Sequence, residues 1–215
     1  MYGDYTQERF LRDLRHIQIA VRPGTHFQYS NVDAQLLGIV LERVYQRSYE
    51  ELVQEVITRP NNMMETSLTV SASDAGRVAK GYDGEGKRMP ELDFWRWIPA
   101  AGYLKSTVRD QLNYLQWNLE ETNPAVALSH RTTFRGTDER GDDIALYWFT
   151  KHLRDGTRVI RHGGGSFGST SYFFLAPELR TGIVLLANDA DSSTESTLAR
   201  MAAKSETSKR NSTDL

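Results

Sequence analysis

Arg158-Val159-Ile160-Arg161-His162-Gly163-Gly164-Gly165-Ser166-Phe167-Gly168-Ser169-Thr170-Ser171-Tyr172-Phe173-Phe174-Leu175-Ala176 is the stretch that decides the fold. Two runs rich in β-branched and aromatic residues, Thr157–Arg161 and Ser169–Ala176, flank a run of glycines. Such runs read as strands, and turn residues mark their ends. Outward from them lie two more β-rich runs, Asp143–Thr150 and Thr181–Asn188. Asp155-Gly156 separates the first pair, and Pro177 with Gly182 the last pair. Connections this short allow only antiparallel pairing. Ile183 to Ala187 is continuously apolar, the pattern of a strand covered on both faces.

The half that precedes these runs has helical period. Thr6 can cap a helix reaching about His16, with Phe10, Leu11, Leu14 and Ile17 on one face. Val21-Arg22-Pro23-Gly24 breaks the chain. Asn31 is the expected cap of the clearest helix, Val32 to Gln46, whose Leu36, Leu37, Val40, Leu41 and Val44 make one apolar stripe. Ser48 to Glu51 is a capping box for a short helix that stops before Pro60. Residues 61–105 are irregular, and Thr107 with Asp110 resembles a second capping box, before Leu112, Leu115 and Leu119. Helices followed by a meander predict a mixed α/β (α+β) fold, an antiparallel sheet flanked by helices.

The 215 residues suit one domain; 39% apolar and 25% charged is ordinary globular composition. The formal net charge of −2 gives no reason to expect a nucleic-acid partner. No apolar run reaches membrane-spanning length, and Met1 to Arg15 lacks the apolar core of a signal peptide. The compartment stays unknown. The absence of cysteine excludes disulfides, thiolate catalysis and Cys-ligated metals. His16, His26, His130 and His152 are scattered, so no metal and no cofactor is expected. Asp189 to Leu215 is Ser/Thr-rich; it reads as a polar, largely disordered tail in which Leu198, Met201 and Ala202 can make a brief helix.

Several motifs mimic chemistry. Gly81 to Lys87 has P-loop spacing, but Arg88 stands where the magnesium-binding hydroxyl belongs and Met89-Pro90 cannot continue a helix. Gly164-Gly165-Ser166-Phe167-Gly168 matches G-x-S-x-G, yet a β-like run follows it and no histidine lies beyond Ser166. The plain reading is a glycine-rich strand end that lets another group approach the backbone closely. Asn211-Ser212-Thr213 is a sequon of the kind that chance supplies. Phe94, Trp95 and Trp97 are read as aromatic anchors of a loop, or as one wall of a cleft.

Tyr29-Ser30-Asn31 carries more. If extended, it turns Tyr29 and Asn31 to one side. A phenol relays protons if a nearby cation lowers its pKa from ~10. A carboxamide can both donate to and accept from an amide. Taken alone, Y-x-N is a common triplet, and a capping Asn beside a buried Tyr explains it equally.

Three blocks in order decide between these. Pro23-Gly24-Thr25-His26-Phe27-Gln28-Tyr29-Ser30-Asn31 with Leu36-Leu37-Gly38, Pro99-Ala100-Ala101-Gly102-Tyr103-Leu104-Lys105-Ser106-Thr107 with Asp110, and His162-Gly163-Gly164 with Leu185-Leu186-Ala187-Asn188 resemble the serine β-lactamase and penicillin-binding-protein superfamily. The likeness is to the class C-like branch with its D-aminopeptidases, D-Ala-D-Ala carboxypeptidases and esterases. It spans roughly residues 5–190 and implies a β-lactamase-like domain over 1–188, with a helical and loop region at 1–130 and the sheet at 143–188. It implies acyl transfer through serine, with Tyr29 moving protons, Asn31 holding the substrate amide, and His162 on the third-motif strand. Gly163, Gly164, Gly165 and Ser166 would bind substrate and oxyanion; Gly165 is the expected strand donor, with Ser166 the alternative.

The sequence departs from that family in one respect: it holds no Ser-x-x-Lys, and Ser205 to Lys209 is one residue too long. The resemblance therefore implies the C-terminal part of such an enzyme, incomplete at its N-terminus. Thr181–Asn188 would then be an exposed edge, open to a complementary N-terminal chain. The ligand would be a small molecule or peptide. Three outcomes stay open: an inactive portion of a serine hydrolase, a binding module without turnover, or a hydrolase using Ser166 or a serine supplied in trans.

Overall fold

The structure, a computed structural model, describes residues 6–90, 98–136 and 141–202. Phe94, Trp95, Trp97, the sequon and the last residues of the tail lie outside these. Helix α1 (Gln7–Leu14) starts where expected, with the Thr6 hydroxyl accepting from the Arg9 N–H at 3.3 Å. Of its expected face, Phe10 is buried and Ile17 is exposed.

Helix α2 (Asn31–Tyr45) departs from expectation twice. Ser30 is its cap, accepting from the Asp33 N–H at 3.2 Å, and Asn31 takes the first helical position. Serine caps as well as asparagine does, and Ser30 is the last residue with extended backbone. The helix also packs through Gln35, Gly38 and Ile39, not through its apolar stripe. Gln35 Oε1 accepts from the Ala100 N–H at 3.1 Å. A Cβ on Gly38 would lie 2.6 Å from that of Ala100, so glycine is what lets this loop close on the helix. Leu36, Leu37, Val40 and Val44 are exposed.

Helix α3 (Tyr49–Val53) has the full capping box of Ser48 and Glu51 and runs on into a wider turn, Gln54–Thr58. Helix α4 (Val108–Glu120) is capped by the Thr107 hydroxyl. Its Asp110 does not complete a capping box. The buried carboxylate instead accepts from the Glu65 N–H and the Thr66 hydroxyl, both at 2.8 Å, pinning the irregular segment to α4. Helix α5 (Pro124–Ser129), capped by Asn123, is an element the apolar period did not reveal.

The sheet is antiparallel, in the order β1 (Asp143–Ile144), β2 (Phe149–His152), β3 (Arg158–Ser166), β4 (Ser169–Ala176), β5 (Thr181–Ala187). The run read as one strand at 143–150 is two, folded back at Leu146-Tyr147, where Tyr147 has φ +61°. The glycines 163–165 belong to β3, since β4 supplies their pairing through Ser166 opposite Ser169.

Both faces of the sheet are covered. On one, Leu115 of α4 packs with Ala145, Trp148, Ile160 and Leu175. Ile160 and Leu175 are fully buried, each contributing about 1.5–3 kcal/mol by leaving water. On the other, Val159, Tyr172, Phe174 and Ala176 pack with Leu198 and Ala202. These two residues belong to a helix, α6, described over residues 194–202. The apolar spacing of Leu198 and Ala202 lays this helix onto the sheet. Ile183 and Leu185 of β5 meet the α6 side and Val184 the α4 side, as its continuous apolar run requires.

Candidate active site

The site is built where the α2 N-terminus meets β3. Pro23-Gly24 turns the chain, with the Thr25 hydroxyl donating to the Arg22 carbonyl at 2.6 Å. The ring of Phe27 then meets that of Phe149 edge-on at 6.2 Å, tying the segment to β2. Tyr29 follows, half exposed, its ring 6.0 Å from that of His162. His162 is held among rings, with Phe149 at 5.9 Å and Trp148 at 6.3 Å.

One cavity of about 1570 Å³ is lined by Tyr29, Asn31, His162, Gly163, Gly164, Gly165 and Ser166 together. The structure thus brings all seven expected positions to a common space. Its other wall comes from residues 101–107, held by paired backbone hydrogen bonds between Ser67 and Lys105 at 3.0 and 2.9 Å.

Strand β2 pairs with β3 only as far as Arg161. From His162 to Ser166, β3 is paired on the β4 side alone among the described residues. Alternate backbone groups of an antiparallel strand point to opposite edges, so this segment turns N–H groups toward the cavity. Nothing lies within 4 Å of where a Cβ on Gly165 would stand.

Burial, then the negative charge of Glu195, push the Tyr29 phenol above its ordinary pKa. A cation beside it would be needed to lower it. Its ring neighbour is instead a histidine that burial holds below the ordinary imidazole pKa, against the opposite pull of Glu195 and a backbone hydrogen bond involving Gly163. Near neutral pH the pair is a neutral phenol and a neutral imidazole, able to exchange hydrogen bonds with a ligand.

Glu195 is the residue sequence reasoning missed. It sits in the first turn of α6 and lines the same cavity. A Cβ on Gly163 would lie 2.5 Å from its Oε1, so the carboxylate rests over that strand position. Its signal was hidden in a Ser/Thr-rich stretch. Among the described residues, no three His, Cys, Asp or Glu gather as a metal site, and no helix is long and apolar enough to cross a membrane.

Residues 2–207 match the family described as beta-lactamase. The chain belongs to the beta-lactamase family. Relatives include Protein flp of Staphylococcus aureus (strain N315), 27% identical over 175 residues that make up 78% of this chain and 34% of that protein. The human protein named Putative beta-lactamase-like 1 is 30% identical over 191 residues, 84% of this chain and 37% of that one. This beta-lactamase-family chain therefore spans about a third of the length of the curated relatives it matches.

Solved structures agree on the fold. A class C beta-lactamase superposes with a TM-score of 0.80 at 21% identity, covering 93% of this chain and 62% of that one. The D-alanine carboxypeptidase AmpC from Burkholderia cenocepacia gives 0.77 at 23%, covering 87% and 63%. The octameric penicillin-binding protein homologue from Pyrococcus abyssi gives 0.74 at 25%, covering 85% and 44%. The α+β fold with an antiparallel sheet flanked by helices is the one the sequence led us to expect.

Proposed function

We propose that this chain carries the proton-relay, amide-holding and oxyanion parts of a serine acyl hydrolase, and that these residues alone bind a ligand without turning it over. Tyr29 is the proton relay, Asn31 holds the ligand amide, and His162 with Gly163 and Gly164 forms the third-motif wall. Gly165 gives the oxyanion N–H, with Ser166 the alternative donor. The observation that carries this reading is their convergence on one cavity. The nucleophile is the missing part, since no Ser-x-x-Lys occurs in the 215 residues.

The ligand class is an acyl compound with an amide or ester, in keeping with family membership. Penicillins are expected to fit less well than esters or peptides. A neutral imidazole at the third motif is a weaker carboxylate anchor than an ammonium group would be.

The test is intact mass after incubation with a fluorescent penicillin and, separately, a fluorophosphonate. No adduct, together with a ligand-dependent rise in melting temperature, is the expected result. A stoichiometric adduct would overturn the proposal, and mapping it would test Ser166 directly.

A second feature bears on partners. Among the described residues β5 pairs with β4 alone, and α2 exposes Leu37, Val40 and Val44. A free strand edge next to the sheet core suits a complementary chain of the same fold that adds a strand and supplies the nucleophile in trans.

A further inference from the structure

A buried histidine stands outside the parts already assigned. His130 caps the C-terminus of α5 and is 1% exposed. Its Nδ1 lies 2.7 Å from Glu121 Oε1 and its Nε2 3.1 Å from Asn118 Oδ1. The Asn118 amide is oriented by its other end, which donates to the Tyr114 carbonyl at 2.8 Å. Both ring nitrogens therefore face acceptors. Either tautomer donates to one of them, and the protonated ring donates to both. The ring is held from two sides.

Glu121 is held in turn. Its Oε2 accepts from Arg158 at 2.6 Å, and Arg158 Nε donates to Glu178 at 2.9 Å. Burial works to raise the Glu121 pKa, but the hydrogen bonds from Arg158 and His130 outweigh it and hold the carboxyl below its ordinary value. Glu121 also adopts the left-handed backbone, φ +47°, that ends α4, where glycine is the usual residue. A glycine there would offer no carboxylate to His130 and Arg158.

The cluster reaches the cavity by two routes. Arg158, Ile160 and His162 alternate along β3 and so share one face of the strand. Trp148 lies between the two histidines. Its ring meets that of His130 edge-on at 5.5 Å and 82°, and that of His162 at 6.3 Å and 90°. Trp148 is buried and also packs with Ile160 and Leu175. An indole so enclosed moves only when a neighbour gives way.

We propose that His130 is a positioning residue: its held ring backs Trp148, and Trp148 sets where the His162 ring stands in the cleft. This rests on reading the cavity as an acyl-ligand site with His162 on its wall. Burial holds the His130 imidazole below its ordinary pKa, against the pull of Glu121 and with the help of Arg158, the charged groups that bear on it. The test therefore has to separate the ring of His130 from its charge.

The test follows the His162 imidazole by NMR titration of the isotope-labelled full chain, with its signals assigned from His162→Gln. In His130→Ala, Trp148 can relax into the space left, and His162 loses cover. Its titration midpoint should rise from the wild-type value toward ~6.5. His130→Phe keeps a ring against Trp148 and carries no charge, so it should return the midpoint toward the wild-type value. Asn118→Ala frees one side of the His130 ring without changing charge, and should move the midpoint the same way by less. Val53→Ala, which opens a void in α3, controls for lost stability and should leave the midpoint in place. Equilibrium dialysis of N-acetyl-D-alanyl-p-nitroanilide should show about threefold to tenfold weaker binding to His130→Ala, and binding to His130→Phe close to wild type. Melting curves establish which variants are folded; if neither His130 variant folds, Asn118→Ala decides alone. An unmoved midpoint in the folded His130→Ala or Asn118→Ala, or an equal shift in Val53→Ala, overturns the inference. So does an equal shift in His130→Phe and His130→Ala, which assigns the effect to the charge of His130. If the anilide does not bind the wild type, the reading of the cavity falls, and the titration still decides whether His130 positions His162.

Discussion

Gly81 and Gly168 meet backbone to backbone: a Cβ on Gly168 would stand 2.4 Å from the Gly81 Cα, and one on Gly81 would stand 2.6 Å from the Gly168 Cα. This contact seats the irregular segment against the β3–β4 turn, and with it one wall of the cavity. It also accounts for two misleading motifs. Gly81 belongs to a small hairpin in which Asp83 accepts from the Glu85 and Lys87 N–H groups, so the backbone donors of a phosphate loop are already taken. Gly168 belongs to a hairpin turn between two strands, not to a nucleophile elbow.

Gly168→Ala is therefore expected to cost about 2–4 kcal/mol. The left-handed backbone at φ +80° accounts for roughly 1–2 of this and forced displacement of the neighbouring chain for the rest. Gly156→Ala is the control. Its φ of +86° is equally unfavourable but its Cβ meets open space, so it should lose only roughly 1–2 kcal/mol. Urea unfolding of both variants checks this; equal losses would mean that the Gly81 contact contributes nothing.

Tyr147 offers a change of opposite sign. It is the second residue of the β1–β2 turn, at φ +61°, a conformation that costs a bulky residue about 1–2 kcal/mol. Its phenol lines no part of the larger cavity; burial, then the charge of Asp33, hold it above its ordinary pKa. Tyr147→Gly should stabilise the fold by about 0.5–1 kcal/mol, the strain relieved less the entropy that glycine adds to the unfolded chain. A loss of stability would show that the ring's contacts outweigh the strain.

How much of this was legible before the structure follows from the physics of each element. The last two strands and their antiparallel pairing were readable because β-branched runs and turn residues act locally. The capping box at Ser48 was readable for the same reason. The fold-back within 143–150 was hidden, since Leu146-Tyr147 carries no turn residue. The exposed stripe on α2 was not, because periodicity shows that a helix has an apolar face but not what covers it. Small Gly38 and polar Gln35, which periodicity discounts, make the contact with Ala100. Glu195 was hidden by composition: a Ser/Thr-rich stretch reads as solvated until Leu198 and Ala202 are seen to find the sheet. The Tyr29–His162 pairing joins residues far apart in sequence, and only the ordered motif blocks of the family brought them together.

His162 makes stability depend on pH in a stated direction. Burial lowers its pKa in the folded chain below the unfolded value of ~6.5. The unfolded chain then binds the proton more readily, so this contribution is complete above about 6.5 and is lost as pH falls from there through the folded value. Glu195 is a titratable group whose charge bears on it, and it opposes the shift; Tyr29 meets it as a neutral ring. The wild-type stability curve should fall between about pH 7 and 5 more steeply than that of His162→Gln, with the two parallel above pH 7. Parallel curves throughout would mean that His162 titrates as it does in water.

Among the described residues β5 is paired with β4 alone, and its other edge leads to the last prediction. Leu186 is 42% exposed on this strand, and α2 presents Val40 and Val44 at 46% and 68%. An apolar edge with open backbone groups templates strand addition, so the isolated chain should self-associate at high concentration. Leu186→Lys places a charge on that edge without opening the core, and surface changes of this kind usually stay within about 0.5 kcal/mol. Sedimentation velocity should show the association of the wild type falling away in Leu186→Lys, with little change in the urea midpoint. If the association persists in Leu186→Lys and disappears in a Val40→Glu, Val44→Glu variant, the sticky surface is the helix face and not the strand. A wild type that stays monomeric at high concentration and melts cooperatively would show that neither surface needs a partner.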